Sequence, residues 1–193
     1  MKKHITLFFA CLVFAGNLFA QKHLSFKGVP IDGTLKSYIE AMVKAGFRYE
    51  LTKDGTALLT GDFAGYKSCT VGVSTLKNLD VVSYIAVLFP DKDTWPAVLY
   101  DYEHLKEMLT EKYGTPSDSQ EKFTGNVGDY NNFLVMCALK NGEYKWYTTF
   151  STKLGNIELS IMAGRESHTA MVRLSYYDKA NSEKVRNAAM DDL

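Results

Sequence analysis

Twice along this chain a helical apolar rhythm ends at a glycine and gives way at once to an alternating one. In "FKGVPIDGTLKSYIEAMVKAGF", Phe26 to Phe47, the residues Leu35, Ile39 and Met42, joined by Tyr38 and Val43, recur at the spacing of a helix with one buried face. Thr34 or Asp32 can accept from its first free amides, and Gly46 supplies the left-handed residue that ends it. Phe47 then turns back onto the core.

"DTWPAVLYDYEHLKEMLTEKYGTP", from Asp93, has the same grammar. Val98, Tyr102, Leu105 and Leu109 line one face, with Leu99 and Trp95 beside them, while Asp101, Glu103, Lys106, Glu107, Glu111 and Lys112 lie mostly opposite. Pro96 suits a first turn, and Gly114 followed by Pro116 is a stop signal.

After each helix the period falls to 2. The first is followed by "RYELTKDGTALLTGDF" with Asp54-Gly55 as a tight turn, then by Tyr66 to Ser74 and "VVSYIAVLFP". The second is followed by "EKF", by "YNNFLVMCALKNGEYKWYTTFS" with Asn141-Gly142 as its turn, and by "NIELSIMAG" and "TAMVRLSYYD". Two-residue turns of this type join neighbouring strands antiparallel. A helix beside such a meander buries its stripe by lying across the sheet. The expected fold is therefore α+β, in two tandem units over 21–90 and 91–193, each a helix packed on an antiparallel meander of about four strands. A short helix from about Ser182 to Met190 closes the second.

The run "GVPIDGTLKSYIEAMVKAGF", its meander, and then "LKEMLTEKYGTP" with a second meander resemble small exported proteins of unknown function from anaerobic Gram-negative bacteria. The element order also resembles the tandem helix-plus-sheet architecture of beta-lactamase-inhibitor-like proteins, which small outer-membrane assembly lipoproteins share in single copy. None of the inhibitor family's contact residues can be placed here position by position.

Export is expected from the first residues. "MKKHITLFFACLVFAGNLFA" has two lysines, a short apolar run and a small residue before Gln21, the pattern of a secretory signal peptide over 1–20. Cys11 follows too short an apolar stretch for a lipidated cleavage site, and no later segment offers the ~20 apolar residues of a membrane span. The localisation expected is periplasmic or extracellular. Without Lys2 and Lys3 the chain has 20 basic residues against 22 acidic ones, and no basic cluster, so nothing in it attracts nucleic acid. Cys69 and Cys137, in "YKSCTVGV" and "FLVMCALK", fall on the apolar side of alternating runs and are expected to be buried thiols rather than a bridge.

Residues with catalytic or metal chemistry are scattered. His23, His104 and His168 are isolated from one another, "YEHLKE" offers one imidazole among carboxylates, and neither "DKD" at Asp91 nor "GDYNN" at Gly128 has calcium-loop spacing. "GVSTL" lacks the second glycine of a nucleophile elbow, and "GDFAGYKSCTVG" matches no phosphate-cradling loop. No catalytic residue, metal ligand or cofactor is assigned.

Aromatic content, 13% of the chain, is the remaining feature. In "EYKWYTTF", Tyr144, Trp146 and Phe150 share one side of a strand, and Lys145, Tyr147 and Thr149 the other. The first set is expected in the core, leaving Tyr147 and Lys145 as ligand-binding candidates on an open sheet face. Tyr66, Tyr84, Tyr130 and Tyr176 fit either cross-strand pairing or binding. The function expected is a non-catalytic binding or scaffold protein of the cell envelope, holding a protein, peptide or glycan. The alternative is a hydrolase-type envelope enzyme in which His104 or His168 meets a carboxylate or thiol only in three dimensions.

Overall fold

A computed structural model describes residues 23–76, 79–124, 131–166 and 168–190. Residues 1–20, where a signal peptide is expected, Cys11 and Tyr130 lie outside them. The chain begins with a small hairpin, β1 (Ser25–Phe26) and β2 (Val29–Pro30), turned by Lys27 and Gly28 at positive φ. Helix α1 (Leu35–Lys44) is followed by β3 (Arg48–Lys53), β4 (Thr56–Phe63), β5 (Tyr66–Leu76) and β6 (Leu79–Leu88). Then come α2 (Trp95–Tyr113), β7 (Asp118–Phe123), α3 (Asn132–Asn141), β8 (Tyr144–Thr152), β9 (Gly155–Ala163), β10 (Ala170–Asp178) and α4 (Lys179–Met190).

The larger sheet is α+β architecture in one piece: eight antiparallel strands in the order β3-β4-β5-β6-β10-β9-β8-β7. The seam is the pairing of β6 with β10, where Ser175 lies opposite Ala86 and Tyr177 opposite Tyr84. The strands before and after position 90 therefore belong to one continuous sheet rather than to two. Both Asp54 and Gly55 take positive φ, the backbone of the expected two-residue turn between β3 and β4.

Helix α1 starts as its sequence indicates, with the Ser37 amide donating to Thr34 Oγ1 at 3.2 Å, and it ends with Gly46 at φ 97°. Tyr38 and Met42 are buried, but Val43 is exposed. In α2 the stripe of Trp95, Val98, Tyr102, Leu105 and Leu109 is buried and Gly114 closes the helix at φ 85°. Asp101 departs from expectation. It is buried on the inner side of α2, where Lys92 Nζ reaches it at 3.1 Å and Tyr66 donates to it at 3.2 Å, and this pairing is what makes a buried carboxylate tolerable.

The segment "NNFLVMCALKN" is a helix, not a strand, and Asn141-Gly142 is not a hairpin turn. Asn131 caps α3 by accepting from the Phe133 amide at 2.9 Å, while Gly142, at φ 73°, is the left-handed residue after its last turn. Val135, Met136, Ala138 and Leu139 face the core at helical spacing, and Cys137 is only half-buried. Asn132 also caps its neighbour, accepting from the Trp95 amide at 2.7 Å.

The buried residues of α1, α2 and α3 and the inward residues of the strands form one hydrophobic cluster. Tyr144, Trp146 and Phe150 belong to it, as expected, with Trp146 packed edge-on against Trp95 at 4.8 Å. Tyr66 and Tyr176 join the same cluster. Among the described residues no helix is long and apolar enough to cross a membrane.

The two ends of the described chain are tied together by polar contacts. Asp178, fully buried, accepts from the Leu24 amide at 2.8 Å and lies 3.0 Å from His23 Nδ1. Asn181, also fully buried, donates from Nδ2 to the carbonyls of Ile31 and Val82, both at 3.0 Å, and to Asp32 Oδ1 at 2.9 Å.

Candidate binding face

Because side chains alternate along a strand, the residues that do not face the helices share the opposite side of the sheet. Register places them in cross-strand rows. Gln120 lies opposite Tyr147, Tyr147 opposite Ser160, Ser160 opposite Arg173, and Arg173 opposite Leu88. One row along, Lys122 lies opposite Lys145. On the other side Asp118, Thr149, Glu158 and Ser175 follow one another across four strands. Tyr147 and Lys145 thus occupy the helix-free face on which the alternation of β8 puts them.

Lys145, Tyr147, Glu158, Ser160, Met162 and Arg173 line a shallow concavity of about 510 Å³ on this face. Tyr147 donates to Asp118 Oδ2 at 3.0 Å, and that bond holds its phenol above the usual range for tyrosine. Arg173 Nη2 reaches Glu158 Oε1 at 3.3 Å. Three donors on residues lining the concavity have no hydrogen-bond partner: Ser160 Oγ, on a residue 6% exposed, Arg173 Nε and Trp146 Nε1. Unpaired buried donors are uncommon, because each loses its hydration without replacement. Nearer the seam, the Tyr84 and Tyr177 rings lie 4.8 Å apart and the Tyr84 hydroxyl pairs with Ser175 Oγ at 3.1 Å.

The histidines and cysteines do not converge on a catalytic arrangement among the described residues. His104 is exposed on α2 and stacks on Tyr100, His168 is exposed between β9 and β10, and His23 serves the Asp178 contact. Cys69 is fully buried beside Val71 and Val73, and burial pushes its thiol up to about 11, away from thiolate chemistry. Cys69 and Cys137 are both free. No group of three or more metal-ligating side chains occurs among the described residues.

Sequence reasoning named Tyr147 and Lys145 but not Ser160, Glu158 or Arg173. The signal was present in "NIELSIMAG" and "AMVRLSYYD", whose polar alternates sit between strand-core residues. Which alternates become neighbours is decided by pairing of β8, β9 and β10, and no local pattern carries that.

The fold and face together define an α+β chain with helices α1, α2 and α3 packed through one hydrophobic cluster on one side of a broad antiparallel sheet and a hydroxyl-rich, partly charged surface on the other. Comparison with protein-family models, with curated proteins and with solved structures returns no match.

Proposed function

We propose that this is a non-catalytic binding or scaffold protein of the cell envelope, which holds a protein, peptide or glycan on the helix-free face of its sheet. The observation that carries the reading is the concavity around Tyr147, Lys145, Ser160 and Arg173. It is a rigid, concave surface with unpaired donors on strands held from behind by a packed core, and such surfaces favour binding because little order is lost on contact. A charge balance near zero and dispersed histidines are in keeping with a module that recognises rather than reacts.

Export through a signal peptide over 1–20, to the periplasm or beyond, is part of the same proposal and rests on the basic start, the apolar run and the small residue before Gln21. So is descent from two tandem helix-plus-meander units. The order β3-β4-β5-β6 followed across the seam by β10-β9-β8-β7 is what two such units would give if joined by their last strands.

Capture from envelope extract on the immobilised mature chain tests the reading. A partner retained by the wild type should be lost, or retained far less, when Tyr147→Asp and Lys145→Glu are combined. Repeated capture of nothing, or a partner indifferent to both changes, defeats it.

A further inference from the structure

We propose that the concavity on β8, β9 and β10 is a subsite for a carboxylate carried by an acidic segment of a protein partner. The inference rests on the binding reading above and names the chemistry of its ligand. Three independent features converge there. Lys122 and Lys145 stand directly opposite each other on the exposed face, an arrangement of like charges that weakens a strand pair. Neither lysine has a carboxylate within ion-pair distance among the described residues.

Arg173 is the second feature. Its guanidinium carries five N–H donors in a fork suited to a carboxylate, but only Nη2 is engaged, by Glu158, and Nε has no partner. About a third of the side chain, 34%, remains exposed, while Nε itself is buried within the concavity wall. The third is Ser160, directly across from Arg173, whose hydroxyl is also unpaired. An incoming carboxylate offers two oxygens and about four lone-pair directions, enough to engage the guanidinium and the serine together while relieving the lysine pair.

Charge selects the class of anion. Of the groups lining the concavity, Lys145 and Arg173 face Glu158, which leaves one net positive charge, and Lys122 and Asp118 on the neighbouring strand β7 offset each other. That suits a singly charged carboxylate better than a phosphate carrying close to two. A uronate sugar would also bring a carboxylate. However, sugars commonly stack on a free ring face, and here Trp146 and Tyr144, which also line the concavity, are partly buried against the core, with Trp146 packed between Trp95 and Phe123, while Tyr147 is held through its hydroxyl by Asp118.

The test uses the full mature chain and a fluorescein-labelled peptide of alternating serine and glutamate, read by fluorescence polarisation. Its controls are the glutamine counterpart of the peptide and an oligogalacturonate. The glutamate peptide should bind and should weaken as salt is raised. The glutamine peptide should bind about tenfold or more weakly, and Arg173→Gln should cost a similar factor. Lys145→Gln, on an exposed side chain whose loss leaves folding intact, should cost about threefold, while Lys44→Gln on α1 should change nothing. Equal binding of the two peptides, no binding of either, or unchanged affinity in both concavity variants overturns the assignment. Tighter binding of oligogalacturonate than of the glutamate peptide overturns the protein source. If the peptides fail while envelope capture still depends on Tyr147 and Lys145, the subsite is wrong and the binding face stands; if capture is indifferent as well, both fall.

Discussion

Replacing Asn181 by alanine should destabilise the protein through two backbone carbonyls rather than through any apolar contact. Its Nδ2 serves the carbonyl oxygens of Ile31 and Val82, 150 and 99 residues away in sequence, and both bonds are buried. An acceptor left unpaired away from water costs about 1–3 kcal/mol, so two cost about 2–6 kcal/mol. The space vacated by the amide can admit a water that bonds to one or both oxygens, which places the expected loss at the low end, about 2–3 kcal/mol. Alanine also gains up to about 0.7 kcal/mol of helix propensity over asparagine. Asn187→Ala, at an exposed position of the same helix, carries that gain without the buried bonds and serves as the reference. In urea titrations with a slope of about 2 kcal/mol per molar, the Asn181 variant should unfold about 1–1.5 M earlier than the Asn187 variant. Midpoints within about 0.25 M of each other, a difference near 0.5 kcal/mol, would refute the reasoning from buried acceptors.

Gly155→Ala should be more severe: at φ 150° a Cβ would be driven onto the carbonyl oxygen of Tyr177 and against Leu24, so the β9–β10 pair must shift, and soluble yield or thermal midpoint should fall sharply. A variant as stable as the wild type would mean that this close approach is absent. Leu105→Ala on α2 should cost about 2–5 kcal/mol in the same urea assay, since the side chain is 2% exposed, and a cost under about 0.5 kcal/mol would place that stripe in solvent. Cys69 should resist alkylation at pH 8 in the folded protein and react on unfolding, its thiol being buried and shifted up to about 11. Rapid native labelling of Cys69, resolved from Cys137 by peptide mapping, would contradict its burial.

Helices α1 and α2 and most strands could be read directly because each carries a strong period and its own stop signal: Gly46 and Gly114 after the helices, Asp54-Gly55 between strands. Helix α3 could not. Phe133, Val135, Cys137 and Leu139 alternate as a strand would, while Val135, Met136, Ala138 and Leu139 recur as a helix would, and a short apolar run satisfies both patterns. Gly142 added to the ambiguity, since a left-handed residue serves a hairpin turn and a helix end equally. Asn131, free to cap α3, was the discriminating residue. The tie of His23, Leu24 and Ile31 to Asp178 and Asn181 left no trace in the sequence, because its partners stand about 150 residues apart. For the candidate site, strand alternation located Tyr147 and Lys145 on the open side, but Ser160 and Arg173 became their neighbours only through the register of three strands.

Site-specific photo-crosslinking tests most directly whether recognition belongs to the helix-free face. A photoreactive residue placed at Tyr147 should yield adducts from envelope extract, and the same residue at Tyr100, 71% exposed on the outer side of α2, should yield none. Adducts from position 100 with none from position 147 would contradict the account.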